Sequence, residues 1–386
     1  MIYNIFVIFT LVMLFIYYRS NYSRDECISA IFVAMWGLFS IEYYTTFDYF
    51  VYADNFDRLG EHALWEPLYQ FLLLIFQPFD FIAFNSCMAA FELFTLCYIF
   101  KRAVPKRFMW VGLLILILDP QKLFLFMDIK RQFLAMMMVL WVLYFLIYSE
   151  SKYKYLCAVI AFLCAVNVHT SAYAAIVYFI VPFFRLRLNK FVWIVIFILF
   201  AGGLSFKLSE FADILSMGLE YIQNDNLDNR YEYYISEQEK FEEFGVGEGI
   251  VSMFYLVFFL GLLLFYNRKA SKQQYPWFLL SILALLLNNI LFGSFYRLNC
   301  YFELAYIFTV PMLLDIMSDY DDNNYKKFIF VLFMALSLLL PAKTYFYTMS
   351  GLKVDYTMAK YRYFYTIFDE MPDRNIYDYE GYTPPN

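Results

Sequence analysis

The chain has 386 residues, of which 62% are hydrophobic, 23% aromatic and only 17% charged, against about 25% charged in an ordinary soluble protein. Runs such as Phe191 to Phe200 and Ile329 to Leu340 carry more apolar surface than a water-soluble domain can cover, so a soluble globular fold is excluded. The net charge of −6, from 29 Lys and Arg against 35 Asp and Glu, argues against nucleic acid as a partner, because phosphate recognition needs a concentrated basic surface.

The N-terminus, Met1-Ile2-Tyr3-Asn4, lacks the basic start and small-residue cleavage site of a signal peptide, so the first apolar run is expected to persist as an anchor. About 20 apolar residues cross a bilayer as a helix. Read against that length, the sequence predicts crossings near residues 2–18, 28–45, 80–100, 108–126, 132–148, 155–167, 171–184, 191–205, 250–266, 276–292, 298–317 and 325–341. The expected fold is therefore an all-α integral membrane domain spanning 1–386, with about twelve transmembrane helices, some of them broken or re-entrant. Six short loops, 19–27, 101–107, 149–154, 185–190, 268–275 and 318–327, hold sixteen of the 29 Lys and Arg. The positive-inside rule makes these loops cytoplasmic and places both termini outside.

The outward segments are long. Segment 46–66 carries five acids and one Arg, and the loop 206–249 carries eleven acids and three basic residues. The tail 342–386 holds nine tyrosines, too many for a solvated linker, and is expected to pack across the outer face. Residues 67–100 are too apolar for one crossing and have the wrong end charges for two. The stretch 46–78 is accordingly read as an outer loop followed by a half-helix from Pro67 to about Phe76, broken at Gln77-Pro78. Pro67 suits the first turn, and Glu66 is expected to sit at its positive end.

Several polar groups interrupt the apolar runs. The runs 155–167 and 171–184 span only about 20 Å each as helix, against a hydrocarbon core of about 30 Å. Their junction, Asn167-Val168-His169-Thr170-Ser171, should lie below the outer surface as a hairpin tip. Asp119-Pro120, Lys130-Arg131-Gln132 and Ser294-Phe295-Tyr296-Arg297 interrupt other runs. Polar backbone at such depth is tolerated where it is buried in protein or lines water. These breaks are expected to bring Arg131, His169 and Arg297 toward one depth, in a cavity open to the outside.

Ionisable residues in a membrane interior point to function by default, so Arg131 and Arg297 are candidates for holding an anionic group; the structural alternative is snorkelling or an ion pair. His169, one of two histidines with His62, is a candidate general base or phosphate donor, against a satisfied core histidine. Asp48 and Glu66, flanking the acidic loop, are further candidate bases, against solvated loop residues. Glu92 is expected to pair inside the bundle. The six cysteines show no CxxC and read as buried small hydrophobes. With no HExxH and no paired cysteines there is no zinc site, and Walker, GxGxxG and GxSxG motifs are missing, so no cofactor and no metal are expected. The DxD within Asp319-Tyr320-Asp321-Asp322 is a short match in a cytoplasmic turn and is discounted.

Six motifs together resemble the EpsG family of Wzy-like exopolysaccharide polymerases. They are Asp48-Tyr49-x-x-Tyr52, Glu66-Pro67-Leu68-Tyr69, Arg131-Gln132-x-x-Ala135, Asn167-x-His169-x-Ser171, Arg230-Tyr231-x-x-Tyr234 and Tyr296-Arg297-Leu298-x-x-Tyr301-Phe302. They cover about residues 40–302, and the tail element Tyr361-Arg362-Tyr363-Phe364-Tyr365-x-x-Phe368 looks like the family's aromatic end. One departure is that Asp128-Ile129-Lys130, rather than small residues, leads into Arg131.

The resemblance implies a GT-C-like membrane glycosyltransferase, a polymerase of the capsule, exopolysaccharide or O-antigen type in a bacterial cytoplasmic membrane. Its donor would be an oligosaccharide on a polyprenyl pyrophosphate such as undecaprenyl pyrophosphate, and its acceptor a growing polysaccharide. A flippase and a chain-length regulator are the implied protein partners. On this reading Arg131, Gln132, Arg230, Tyr52, Tyr234 and Tyr301 bind substrate, and His169, Asp48, Glu66 and Arg297 act in catalysis. The alternatives are a lipid-linked glycan flippase or transporter, which would favour paired halves not seen here, and an O-antigen ligase-type transferase, which would differ in acceptor.

Overall fold

Backbone N–H and C=O groups in lipid must be satisfied within their own segment, so the apolar runs of this chain form helices. The computed structural model describes residues 2–20, 24–43, 48–57, 65–183, 192, 195, 196, 198, 250–288, 296–318, 324–350 and 366–368. Among them there is no β-strand, only one isolated bridge between Glu42 and Thr366. Five helical stretches are long and apolar enough to cross a membrane: Ile2–Arg19, Phe81–Ala103, Lys130–Ile147, Arg297–Ser318 and Asn324–Phe346. A sixth results if Lys106–Ile117 and Lys122–Asp128, bent by 67°, form one broken span. The chain is thus a multi-pass, all-α membrane protein, organised as two units.

The first unit comprises 1–179 and 334–386. Its elements are α1 (Ile2–Arg19), α2 (Arg24–Ser40), α3 (Tyr49–Asp57), α4 (Pro67–Phe76), α5 (Phe81–Ala103), α6 (Met109–Ile117), α7 (Pro120–Asp128), α8 (Lys130–Ile147), α9 (Lys154–Val168), a 3-10 turn (Thr170–Ile176) and α10 (Val177–Ile180). Helix α8 lies at the centre and packs on α9 and α5, while α2 packs on α5 and α1. It buries Phe133, Ala135, Met136, Val139, Leu140 and Leu143. By contrast α1, α5 and α9 expose Phe15, Phe94 and Leu163, a pattern suited to lipid contact.

The breaks have local causes. The half-helix α4 begins with Pro67, whose missing N–H costs nothing in the first turn, and ends at Gln77 before Pro78. Asp80 then caps α5 by accepting the Ala83 N–H at 2.6 Å. Asp119 likewise caps α7 through the Lys122 N–H, with Pro120 opening the helix. Three boundaries differ from the sequence reading. Helix α2 takes in Arg24–Cys27, which the sequence reading left outside the crossing. The predicted run 171–184 is a 3-10 turn followed by the short α10.

Third, the last helix does not stop at 341. It runs from Asn324 to Ser350 with Pro341 inside it, so the first residues assigned to the tail are helical. Farther on, Thr366 bridges to Glu42 and the Ile367 N–H donates to the Ile41 carbonyl at 3.0 Å. The cysteines also depart from expectation. Only Cys27 and Cys300 are buried, whereas Cys87 is exposed and Cys97, Cys157 and Cys164 are half-buried, since a thiol on a lipid-facing surface needs no protein cover.

The second unit comprises 180–333. It contains α11 (Ile250–Tyr266), α12 (Tyr275–Asn288), α13 (Tyr296–Glu303), α14 (Tyr306–Ser318) and the start of α15 (Asn324–Ser350). Helices α12 and α14 are locked by Trp277 stacked on Phe308 at 4.1 Å, by the Ser281 hydroxyl donating to Thr309 Oγ1 at 2.8 Å, and by the Thr309 hydroxyl donating to the Trp277 carbonyl. The predicted crossings 191–205 and the loop 206–249 fall almost wholly outside the described residues.

Candidate active site

In the first unit the entry to α8, the N-terminus of α4 and the α9 hairpin tip meet. Successive helical residues point about 100° apart, so Lys130 and Arg131 reach different carboxylates. Arg131 Nη1 donates to Glu66 Oε2 at 2.6 Å, with both side chains largely buried. The second oxygen, Glu66 Oε1, accepts the Thr170 N–H at 2.8 Å and the Thr170 hydroxyl at 2.9 Å. Glu66 stands at the N-terminal, positive end of α4, as the sequence reading expected, but its carboxylate makes no cap bond and instead holds the arginine and the hairpin tip.

An aromatic box encloses the guanidinium. Its carbon lies 4.8 Å from the Trp65 ring centroid, 5.7 Å from Tyr69 and 5.9 Å from Tyr52, within the range of cation–π attraction. Tyr52 and Tyr69 are buried and pack on Trp65 at 5.5 and 5.2 Å. Tyr52, expected to bind substrate, is a wall of this box. Two donors of these residues, Arg131 Nε and the Tyr69 hydroxyl, are buried and have no hydrogen-bond partner among the described residues. Buried donors in that state call for an explanation. An anion entering the box would supply one.

Burial alone would raise the Glu66 carboxyl, but the Arg131 guanidinium and the Thr170 N–H outweigh it and hold it below the usual carboxylate range. A carboxylate so held is a weak base. His169, at the junction of α9 and the 3-10 turn, has its Nδ1 2.6 Å from Ser171 Oγ and accepts the Ser171 N–H at 3.2 Å. Because an N–H can only donate, that bond leaves the proton of the neutral ring on Nε2, where it is a donor.

A second ionic pair lies beside the first. Lys130 Nζ binds Glu42 Oε2 at 2.5 Å, with the Glu42 side chain fully buried, and sits 5.3 Å from the Tyr49 centroid. Glu92, also buried, shares with Lys130 an enclosed space of about 10 Å³, room for about one water. Asp128 is buried and accepts the Asp48 N–H at 2.8 Å, which places Asp48 at the start of α3 beside α7. Gln132 is buried on α8 next to Arg131.

The sequence reading thus named Arg131, Glu66, His169 and Tyr52, which the structure gathers. It missed Trp65, Thr170 and Glu42; Trp65 adjoins the Glu66-Pro67 motif and Thr170 adjoins His169, so adjacency was the available signal. Arg297 and Tyr301 lie on α13 of the second unit, Arg297 half-buried in the first turn and Tyr301 buried. Arg230, Tyr234 and the Asp319–Asp322 stretch lie outside the described residues. Among the described residues no group of three or more His, Cys, Asp or Glu is placed to hold a metal.

Neither a curated protein nor a solved structure matches the chain. A family model does match, over residues 25–358, a range that takes in the arginine box, the hairpin tip, the α13 arginine and the motifs between them. It is the model described as the EpsG family, and the chain belongs to that family.

Proposed function

We propose that this protein is a polysaccharide polymerase, a membrane glycosyltransferase of GT-C-like, twelve-span architecture. It joins polyprenyl-pyrophosphate-linked repeat units at the outer face of the cytoplasmic membrane. The observation that supports the reading best is Arg131, fixed by Glu66 and boxed by Trp65, Tyr52 and Tyr69, with its Nε buried and without a hydrogen-bond partner among the described residues. Family membership supports it independently.

Glycosyl transfer breaks the bond between the anomeric carbon and the pyrophosphate oxygen, which leaves with the electron pair. Guanidinium N–H groups aimed at that oxygen stabilise the charge as it develops, and preorganised electrostatics of this kind is commonly the largest catalytic effect. Here Arg131 takes up phosphate charge and the Nε2–H of His169 donates to a phosphate oxygen. Glu66 positions the guanidinium rather than acting as the base. Asp48 is then the candidate to receive the proton of the acceptor hydroxyl as it attacks. Arg297 and Arg230 are further candidate phosphate ligands, with Gln132, Tyr234 and Tyr301 as candidate binding residues.

The test is polymerisation by the purified protein with its lipid-linked unit, with and without EDTA. Chain growth should survive chelation. Arg131→Lys keeps the charge but not the planar fork and should lower turnover by about 10²–10³-fold, the cost of removing one such donor. Arg297→Lys tests the second arginine separately. Turnover equal to wild type in Arg131→Lys would remove this residue from the chemistry, and turnover that only divalent metal restores would remove the metal-free mechanism.

A further inference from the structure

Helices α2 and α5 enclose a second cavity, separate from the arginine box. It is a groove of about 680 Å³ whose walls include Phe32, Val33, Trp36, Leu93 and Phe94, with Lys101 and Arg102 also lining it. Val33, Trp36 and Phe94 are exposed along it. One wall is stiffened by an aromatic ladder: Phe94 stacks on Tyr98, Tyr98 stacks on Trp141, and the Tyr98 and Tyr144 hydroxyls are 2.8 Å apart. At the other end the Trp36 indole N–H donates to the Ser86 carbonyl at 3.0 Å.

The charge around Lys101 and Arg102 is lopsided. Residues 24–26 and 101–107 together bring Arg24, Lys101, Arg102, Lys106 and Arg107 against only Asp25 and Glu26, and Asp25 is already paired with Lys106 at 3.2 Å. The Lys101 ammonium has three N–H groups. It gives one to the Asp25 carbonyl at 3.2 Å and one to Ser29 Oγ at 3.0 Å, which leaves one for a ligand. Arg102 is exposed beside it. From Ala90 to Arg102 the groove runs about 18 Å along α5, close to half of a hydrocarbon core of about 30 Å. That is the depth of a single leaflet.

The groove also lies far from the arginine box. Tyr98 meets α8 at Trp141 and Tyr144, which lie about 15–20 Å along that helix from Arg131. A donor whose pyrophosphate sits at Arg131 would therefore not bring that charge to Arg102. Apolar walls one leaflet deep that end in surplus cations complement a lipid with one acyl chain in the groove and a negative headgroup at its rim. We propose that the α2–α5 groove binds an anionic glycerophospholipid, its phosphate held by Lys101 and Arg102 and one acyl chain laid along Phe32, Val33, Trp36 and Phe94. The site does not depend on the polymerase reading.

The experiment uses the full chain in detergent micelles, with phosphatidylglycerol carrying a photoactivatable group in one acyl chain, and the matching phosphatidylcholine as comparison. Phosphatidylglycerol should label peptides within 28–36 and 90–98 in preference to phosphatidylcholine. Since a cation near a lipid surface is worth about fivefold in binding, Arg102→Glu should erase at least that much of the preference. Arg19→Ala, at the end of α1, should leave it intact. The melting temperature of Arg102→Glu, an exposed position, is measured alongside and should match wild type. Equal labelling by the two lipids overturns the proposal, as does a preference that survives Arg102→Glu. Displacement of phosphatidylglycerol by polyprenyl phosphate at equal concentration also overturns it and assigns the groove to the carrier lipid.

Discussion

Lys130 and Arg131 are sequence neighbours, yet each is bound to a carboxylate from a different part of the chain, Glu42 and Glu66. The consequences of losing each pair differ. Glu66 is held below the ordinary carboxylate range because, against the opposing effect of burial, Arg131 and the Thr170 N–H favour its charged form. A depressed folded pKa means that the pair's stabilisation is whole above the ordinary value, about 4.3, and is lost as the pH falls through the lower folded value. The gap in melting temperature between wild type and Glu66→Gln should therefore be constant from neutral pH down to about 5 and should close in stronger acid. A gap independent of pH would show that the carboxylate charge is not what stabilises. Lys130→Met, by contrast, removes the ammonium bound to the fully buried Glu42 carboxylate and should cost about 3–5 kcal/mol at neutral pH. Replacing both partners, Glu42→Gln with Lys130→Met, should restore much of it. An unchanged melting temperature in Lys130→Met would sink that account.

At the scale of elements, the sequence revealed most where a residue changes the backbone and least where charges pair at a distance. Pro67 at the start of α4, Gln77-Pro78 at its end and Asp119-Pro120 at the start of α7 punctuate the chain by local rules, and these breaks are present where the reading put them. The partners of Glu66 and Lys130 were not legible, because pairing between residues far apart in sequence depends on how α2, α4, α8 and α9 pack. Nor was the 3-10 turn Thr170–Ile176, whose composition is that of a helix. The half-helix reading of α4 carries its own prediction. With 10 residues it covers about 15 Å, half a bilayer core, so Asn55 before it and Gln77 after it should face the same side. In a cysteine-free background, Asn55→Cys and Gln77→Cys should both react with an impermeant maleimide added from outside. Protection of Gln77→Cys with labelling only after permeabilisation would make α4 a crossing.

For the whole molecule, the number and direction of the crossings set the topology. Among the described residues five helical stretches meet the length and apolarity of a span, and a sixth does if the bent pair is joined. Lys154–Val168 is short, with 15 residues. A short helix can still cross where the bilayer thins or where polar ends lie in a wet cavity, so length alone cannot decide the topology. Charge can. Sixteen of the 29 basic residues crowd into six short loops, and reversing the orientation would place those cations on the far side of the membrane. The loops after α5, α8 and α11 must then share one side, opposite to Asn55. A phosphatase reporter active only outside the cell should be silent when fused at Val104, Ser151 or Ala270 and active when fused at Asn55 or after Asn386. Activity at Ser151 would mean that α8 runs the other way, which would carry Arg131 to the cytoplasmic end and leave a lipid-linked donor on the outer face without its phosphate ligand.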